Sequence, residues 1–193
     1  ELLPAGGGGS TVDFVASGTL PNGKAVVLKS DGTVEVVGES STAVAKSIPA
    51  GSEVQFLAAT SDQMTIVFDP NTANKFVIAY RSQASSPFDG TAIVGTVSGT
   101  SLSFGTSVVF NSGNTPSIGI AFDPNTAGKF VIAYANGTNS NFGTAKVGTL
   151  SGTSLSFGSA VVFNSTGYTD YNFVDFDPNS SGKFIVSYSD GGD

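Results

Sequence analysis

The strongest constraint on the fold of this chain is an internal repeat with a period of 54 residues. The motif Phe-Asp-Pro-Asn begins at residues 68, 122 and 176, and each copy is followed by an apolar run, KFVIAY at 75–80 and 129–134 and KFIVSY at 183–188. A longer block, 94–111, recurs almost unchanged at 147–164. A fixed period of this length indicates tandem copies of one supersecondary unit that bury their apolar faces against one another.

Each unit is predicted to contain four strands. Asp-Pro-Asn is typical of a tight turn, because proline presets φ and the Asp and Asn side chains bond their own backbone. The first strand therefore ends at the Phe of the motif, and KFVIAY is the second. Five consecutive apolar residues, 130–134, indicate a strand that is covered on both faces. A hairpin at Ser151-Gly152-Thr153 then separates a third strand at 144–150 from a fourth at 154–163.

This pattern predicts an all-β protein of tandem four-stranded repeats, without a helix longer than two turns. Four strands in a repeat of this length are typical of a β-propeller blade. A β-sandwich or a fibre of stacked hairpins also uses short strands at regular spacing, and is the alternative architecture.

The repeats also define the domain organisation. Residues 1–10 contain four consecutive glycines and are predicted to be a flexible linker. Residues 11–62 are interpreted as a divergent first repeat, in which 20–23 replaces the Asp-Pro-Asn turn and Asp31-Gly32-Thr33-Val34 leads into the third strand. The regular repeats are assigned to 63–115, 116–169 and 170–193. The last of them has sequence for two strands, so we expect its other two from further repeats or from another chain.

The residue types present exclude several classes of function. The 193 residues include no Cys, His or Trp, so disulfides, Ser-His-Asp and Cys-His nucleophiles and the usual zinc sites are unavailable. The formal net charge of −7 opposes nucleic-acid binding, which depends on cationic side chains. No apolar run reaches the length of a membrane span. We therefore expect no enzyme activity, cofactor, nucleic-acid partner or membrane insertion.

The candidate binding residues lie in the loops between the second and third strands, at 81–90 and 135–143, which differ most between units. Variable loops on a rigid scaffold commonly carry binding sites. Their hydrogen-bonding side chains suit a carbohydrate or another surface receptor: Arg81, Gln83, Asn136, Asn139 and Asn141. The alternative is a solvated loop without a partner.

Other recurring residues have a structural interpretation that we favour over a functional one. The aspartates of the three turns could ligate calcium, but turn capping explains them better. Tyr80, Tyr134 and Tyr188 could stack on sugar rings, but core packing is favoured. The C-terminal aspartates are interpreted as loop charges, and no metal site is predicted: Asp170, Asp175, Asp190 and Asp193. The Asn-X-Ser/Thr triplets at Asn136, Asn164 and Asn179 match the acceptor motif for N-glycosylation, and we attribute the match to chance.

A family resemblance rests on two segments. GKAVVLKSDGTV at 23–34, together with AFDPNTAGKFVIAY at 121–134, resembles repeat-containing virion and tail-fibre proteins of marine bacteriophages, notably cyanophages, over most of residues 12–193. The resemblance implies an extracellular place on a virion, in a tail, fibre or capsid appendage, and a role in host attachment. It implies other virion proteins or copies of the chain itself as partners, in a homo-oligomer, and host-surface carbohydrate as a ligand.

Two further functions remain open from the sequence. The first is a secreted bacterial lectin or adhesin that binds carbohydrate. The second is a glycoside hydrolase, which requires two carboxylates roughly 5 to 10 Å apart in a pocket. The spacing of the acidic residues does not indicate such a pair, and the resemblance carries over no binding residue.

Overall fold

The computed structural model describes residues 15–16, 26–36, 53–84 and 87–191. Every regular element in these ranges is a β-strand, so the predicted all-β class is confirmed, and the described residues contain no helix. The predicted linker at 1–10, Asp193 and most of the divergent first repeat lie outside the described residues.

The chain divides into two compact units, residues 1–50 and 51–193. The first contains β1 (Val15–Ala16), β2 (Val26–Leu28) and β3 (Thr33–Val36), which form sheet I in the order β1-β3-β2. The turn between β2 and β3 contains Gly32 at φ 81°, and the Asp31 carboxylate accepts a bond of 2.9 Å from Thr33 N. Residues 31–34 therefore lead into a strand, as the sequence predicts.

The second unit contains three sheets. Sheet II consists of β4 (Ser61–Phe68), β5 (Lys75–Ser82), β6 (Asp89–Ser98), β7 (Ser101–Phe104) and β8 (Val108–Asn114). Sheet III repeats this arrangement with β9 (Gly119–Phe122), β10 (Lys129–Asn136), β11 (Phe142–Ser151), β12 (Ser154–Phe157) and β13 (Val161–Asn164). Sheet IV contains β14 (Thr169–Phe176) and β15 (Phe184–Asp190). All strand pairs in these three sheets are antiparallel.

The predicted strand order is confirmed, with one correction. In each repeat the first strand ends at the Phe of the motif, and the second strand follows the turn. The fourth strand, predicted as continuous over 154–163, is two strands, because β12 pairs with the second half of β11 and β13 with the first half. Gly158 N bonds to Val147 O at 2.9 Å, after which the chain leaves the ladder and joins it again at Val161.

The Asp-Pro-Asn turns are capped as predicted. Oδ1 of each aspartate accepts a bond of 2.9 Å from the backbone N–H of the asparagine two residues later, in all three copies. The turns are also joined to one another, because Asn71 Nδ2 donates to Asp123 O at 3.0 Å and Asn125 Nδ2 donates to Pro178 O at 3.1 Å. The repeated Asp and Asn side chains therefore stabilise both the turn and its contact with the next repeat.

The second strand of a repeat lies at the centre of the core. Phe130, Ile132 and Tyr134 point from β10 toward sheet II, where they share a buried cluster with Val77 and Val94. The intervening residues of β10, Val131 and Ala133, are buried on the opposite face, where β14 packs. The prediction of a strand covered on both faces is confirmed for β5 and β10.

The third copy of the apolar run is more exposed than the other two. In β15, Phe184 is 39% exposed and Ile185 is 71% exposed. The reason is that β15 pairs with β14 alone among the described residues, whereas β5 and β10 each pair on both sides. Sheets II, III and IV pack in chain order, which fits propeller blades and an open stack equally, so the propeller itself stays a prediction.

We predict that Phe130→Ala destabilises the protein by about 3 to 5 kcal/mol, because truncation of a buried Phe leaves a cavity. Asn139→Ala, an exposed loop change, should stay within about 0.5 kcal/mol. Phe184→Ala should cost less than Phe130→Ala because its ring is partly exposed. Urea unfolding measures all three, and an unchanged midpoint for Phe130→Ala would show that β10 is not an inner strand.

Candidate functional site

The loops opposite the Asp-Pro-Asn turns form one continuous surface, here called the loop end. It contains the β5–β6, β8–β9, β10–β11 and β13–β14 connections, since these strand pairs all turn at the same side of the sheets. Hydrogen bonds join the loops within and between sheets. Arg81 Nη1 donates to Asn114 Oδ1 at 3.0 Å within sheet II, whereas Gly137 N donates to Asn114 O at 2.8 Å and Thr169 N to Asn141 O at 3.0 Å between sheets. The loops therefore support one another.

An ion pair anchors one side of the loop end. Arg81, at the end of β5, donates from Nε to Asp62 Oδ1 at 2.6 Å and from Nη2 to Asp62 Oδ2, so the contact is bidentate. Gln83 Nε2 donates to the same carboxylate at 3.0 Å. The hydrogen bond from Arg81 holds the pKa of Asp62 below its usual range, and that bond likewise raises the pKa of Arg81. This pair stays charged throughout the neutral range.

Two aromatic side chains, Phe88 and Tyr168, lie near this ion pair. The Arg81 guanidinium lies 5.9 Å from the centre of the Phe88 ring, which is a cation–π distance. Tyr168 lies close enough to Arg81 and Asp170 for both to influence its pKa. Burial, the largest cause, and the Asp170 charge raise the pKa of Tyr168, whereas the Arg81 charge lowers it. Phe88, Tyr168 and Tyr171 are all exposed. Aromatic rings therefore face solvent beside a fixed planar network of polar groups.

The asparagines of the β10–β11 loop have different roles. Asn136 Oδ1 accepts bonds from Thr138 N at 3.2 Å and Thr138 Oγ1 at 2.8 Å, so this side chain folds the loop. Asn139 and Asn141 each donate their backbone N–H to Asn136 O at 2.9 Å. Asn139 is exposed and Asn141 is half-buried, at φ 58°. Of these three, Asn139 presents its amide most openly to a ligand.

The loop end therefore brings together the sequence-predicted residues in two adjacent groups. Arg81 and Gln83 share Asp62, and Asn136, Asn139 and Asn141 lie in the next loop, with Asn114 between the groups. Sequence reasoning missed four residues, which are Asp62, Phe88, Asn114 and Tyr168. No spacing in the sequence connects Asp62 with Arg81, because the contact depends on the pairing of β4 with β5.

The two Asn-X-Thr triplets have a structural role that the sequence analysis did not identify, because it attributed them to chance. Asn164 Oδ1 accepts bonds from Thr166 N at 3.0 Å and Thr166 Oγ1 at 2.8 Å, the same arrangement as at Asn136. Both triplets begin at the last residue of a strand, and in both the Asn side-chain oxygen accepts bonds from the backbone N–H and the hydroxyl of the Thr, so their recurrence reports a local turn. Asn164 is buried, and its Nδ2 donates to Thr169 Oγ1 at 3.0 Å.

A residue with left-handed backbone recurs at the loop end of the three regular repeats, as a bulge in β4 and β14 and just before β9. Gln63, Ser117 and Tyr171 occupy equivalent positions and have φ of 51°, 55° and 50°. Ser117 N donates to Gln63 Oε1 at 3.2 Å, and Asn172 Nδ2 donates to Ser117 O at 2.8 Å. The left-handed backbone is sterically unfavourable for these residue types, and the bonds between repeats stabilise it.

The remaining candidates have structural roles. Tyr80 and Tyr134 are buried, which confirms core packing for both, whereas Tyr188 is 41% exposed. Burial raises the pKa of Tyr134 to about 12, and its hydroxyl is buried without a hydrogen-bond partner. Asp170 and Asp175 each accept a bond from the next residue's N–H, and Asp190 accepts one from Thr166.

The described ranges contain no group of three or more acidic residues placed to hold a metal ion. They also contain no helix that is long and apolar enough to cross a bilayer. The loop end can form hydrogen bonds through planar polar groups that lie beside exposed aromatic rings.

Comparisons with known protein families, with curated proteins and with solved structures found no match to this chain. The chemistry of the loop end is therefore argued from its own residues.

We predict that Tyr134 makes the fold sensitive to alkaline pH. An unfolded tyrosine titrates near pH 10 and Tyr134 near 12, so the folded state holds this proton more tightly. Its contribution to stability is complete below pH 10 and is lost as the pH rises toward 12. At pH 11 the loss is about 1.4 kcal/mol.

Tyr134→Phe should remove this part of the decline in urea unfolding between pH 7 and pH 11. At pH 7 it should cost little, because it deletes a buried hydroxyl that has no partner. An identical decline in Tyr134→Phe and wild type would contradict the assignment.

Proposed function

We propose that this chain is a structural and host-attachment protein of a phage virion, in which the repeats form a rigid body and the loop end binds carbohydrate on the host surface. The observation that carries the proposal is the division of each repeat into two ends. The turn end is nearly identical from copy to copy and bonds to the next repeat. The loop end varies and exposes aromatic and polar side chains.

Carbohydrate is supported as the ligand by the kind of groups that the loop end combines. Sugar hydroxyl groups bind to planar polar side chains, which both donate and accept hydrogen bonds. Asp62, Arg81 and Gln83 form such a set, already held in place by their mutual bonds. The apolar face of a sugar ring stacks on aromatic side chains, and Phe88 and Tyr168 lie beside this set. Because the polar groups are already ordered, binding costs little further ordering.

Placement on a virion is supported by the resemblance of 23–34 and 121–134 to cyanophage tail-fibre and virion proteins. A secreted bacterial lectin or adhesin is the alternative, and the same loop-end chemistry favours it. Immunogold microscopy of cyanophage particles with an antibody against this chain separates the two, since only the virion protein labels particles.

The binding prediction is tested with lipopolysaccharide purified from marine cyanobacteria. Tyr168→Ala should weaken binding about tenfold or more, because loss of one aromatic contact costs on the order of 1.4 kcal/mol. The control is Leu102→Ala, a partly exposed apolar change in the β6–β7 hairpin at the turn end. Biolayer interferometry measures affinity, and thermal unfolding verifies that both variants fold. Equal binding by Tyr168→Ala and wild type would contradict the assignment of the site.

A further inference from the structure

Sheet IV has an open edge along β15. Among the described residues β15 pairs with β14 alone, whereas the equivalent strands β5 and β10 are paired on both sides. A groove of about 540 Å³ follows this edge, lined by the end of β14 and the start of β15: Asp175, Phe176, Asp177, Gly182, Lys183, Phe184 and Ile185. An apolar strand with an open edge is a site for addition of another strand.

A second gap adjoins the groove, between sheets III and IV. Its volume is about 200 Å³, and Val131, Val147, Phe176 and Phe184 contribute its apolar wall. Val147 is 49% exposed, whereas Val94, its counterpart in sheet II, is 1% exposed. Val94 is covered because Leu150 and Leu155 of the following sheet share its cluster. The gap therefore lies where a third and a fourth strand of sheet IV would cover Val147.

The two complete sheets show which residues the edge accepts. Opposite the Phe of the second strand stands a glycine, in the pairs Phe76↔Gly95 and Phe130↔Gly148. A Cβ at Gly148 would lie 2.1 Å from the Phe130 ring, so a larger residue does not fit there. We expect the same requirement for a residue opposite Phe184.

The neighbouring positions add two requirements. Lys129 is paired with Thr149, and its Nζ donates to Thr149 Oγ1 at 2.7 Å. Lys75 donates to Thr96 in the same way, at 2.6 Å. Lys183 holds the equivalent place beside β15, so a threonine opposite it completes the pattern. From the fourth strand, Phe157 packs edge-on against Phe130 with ring centres 5.8 Å apart, and a Phe is expected to cover Phe184 likewise.

We propose that the open edge of β15 binds a β-hairpin with the third- and fourth-strand sequence of this repeat. The incoming strand pairs antiparallel with β15, with glycine opposite Phe184 and threonine opposite Lys183. The hairpin buries Val147 and fills both gaps. This site lies apart from the loop end, so it does not depend on carbohydrate binding.

The test uses a synthetic peptide with the sequence of residues 142–157, which comprises β11 and β12. Fluorescence anisotropy should show saturable binding of this peptide to the full 193-residue protein, and the protein's Tm should rise on binding. The peptide variant Gly148→Val should bind about tenfold more weakly or worse, since forcing a branched side chain against a ring costs about 1 to 3 kcal/mol. Ser156→Val, at an exposed position of β12, is the matched control and should bind as the original peptide does.

A complementary variant tests the register. Phe184→Ala removes the ring that clashes with Gly148→Val, so this protein should bind the valine peptide and the original peptide with similar affinity. Circular dichroism verifies that the variant keeps its strands. If the peptide aggregates, the same segment is fused behind Gly191 through a flexible linker; the fusion should have a higher Tm, and the Gly148→Val fusion should not.

Three outcomes would overturn the proposal. They are failure of both the peptide and the fusion, equal binding of the glycine and valine peptides to the wild-type protein, and a protein that is already oligomeric with the β15 amides protected from hydrogen exchange. The last outcome would show that a second copy, through another contact, covers the edge.

Discussion

Burial of the second strand on both faces is the constraint on which the rest of the structure depends. A strand such as β10 has no solvent face, so one face must pack on the preceding sheet and the other on the following sheet. The rings of Phe76 and Phe130 lie across the glycine of the third strand, which leaves no space for a Cβ. Pairing and stacking are therefore specified together, and each repeat requires a neighbour.

The antiparallel order of the strands then separates two kinds of chemistry. In each regular repeat the second strand begins at an Asp-Pro-Asn turn and runs toward the loop end. All of these turns therefore lie at one end of the sheets and the variable loops at the other. At the turn end, repeated Asn and Asp side chains bond to the next repeat. At the loop end the same scaffold holds a different set of residues in each copy, which is where a ligand-binding surface can change without disturbing the core.

Side-chain hydrogen bonds replace ion pairs in most of these contacts. Only 12% of the residues are charged, and the contacts between sheets at both ends use asparagine, serine, threonine and single carboxylates, as in the bonds from Asn172 to Ser117 and from Gly182 N to Asp123. Arg81 and Asp62 form a bidentate ion pair within sheet II, in the part of the loop end that we assign to carbohydrate.

The sequence by itself determined the all-β class, the positions of the strands and the role of the turns. These properties are local or periodic: the capping of the turn by Asp69, and the burial of Phe130 to Tyr134, follow from residue type and spacing. It also indicated Arg81 and Gln83, because their loop differs between copies. It did not indicate Asp62 or Asn114, which reach Arg81 through the strand pairing of sheet II, or Tyr168, which approaches Arg81 only after the sheets have packed.

Tertiary structure alone decided which copies of an identical pattern are buried. Tyr134 and Tyr188 end the same strand motif, yet the first is buried and the second is 41% exposed. The difference arises because burial depends on the strands that lie beside and above a residue, and β15 has one partner among the described residues where β10 has two. For the same physical reason the break in the fourth strand is not visible in the repeat pattern, which records only what each copy contains.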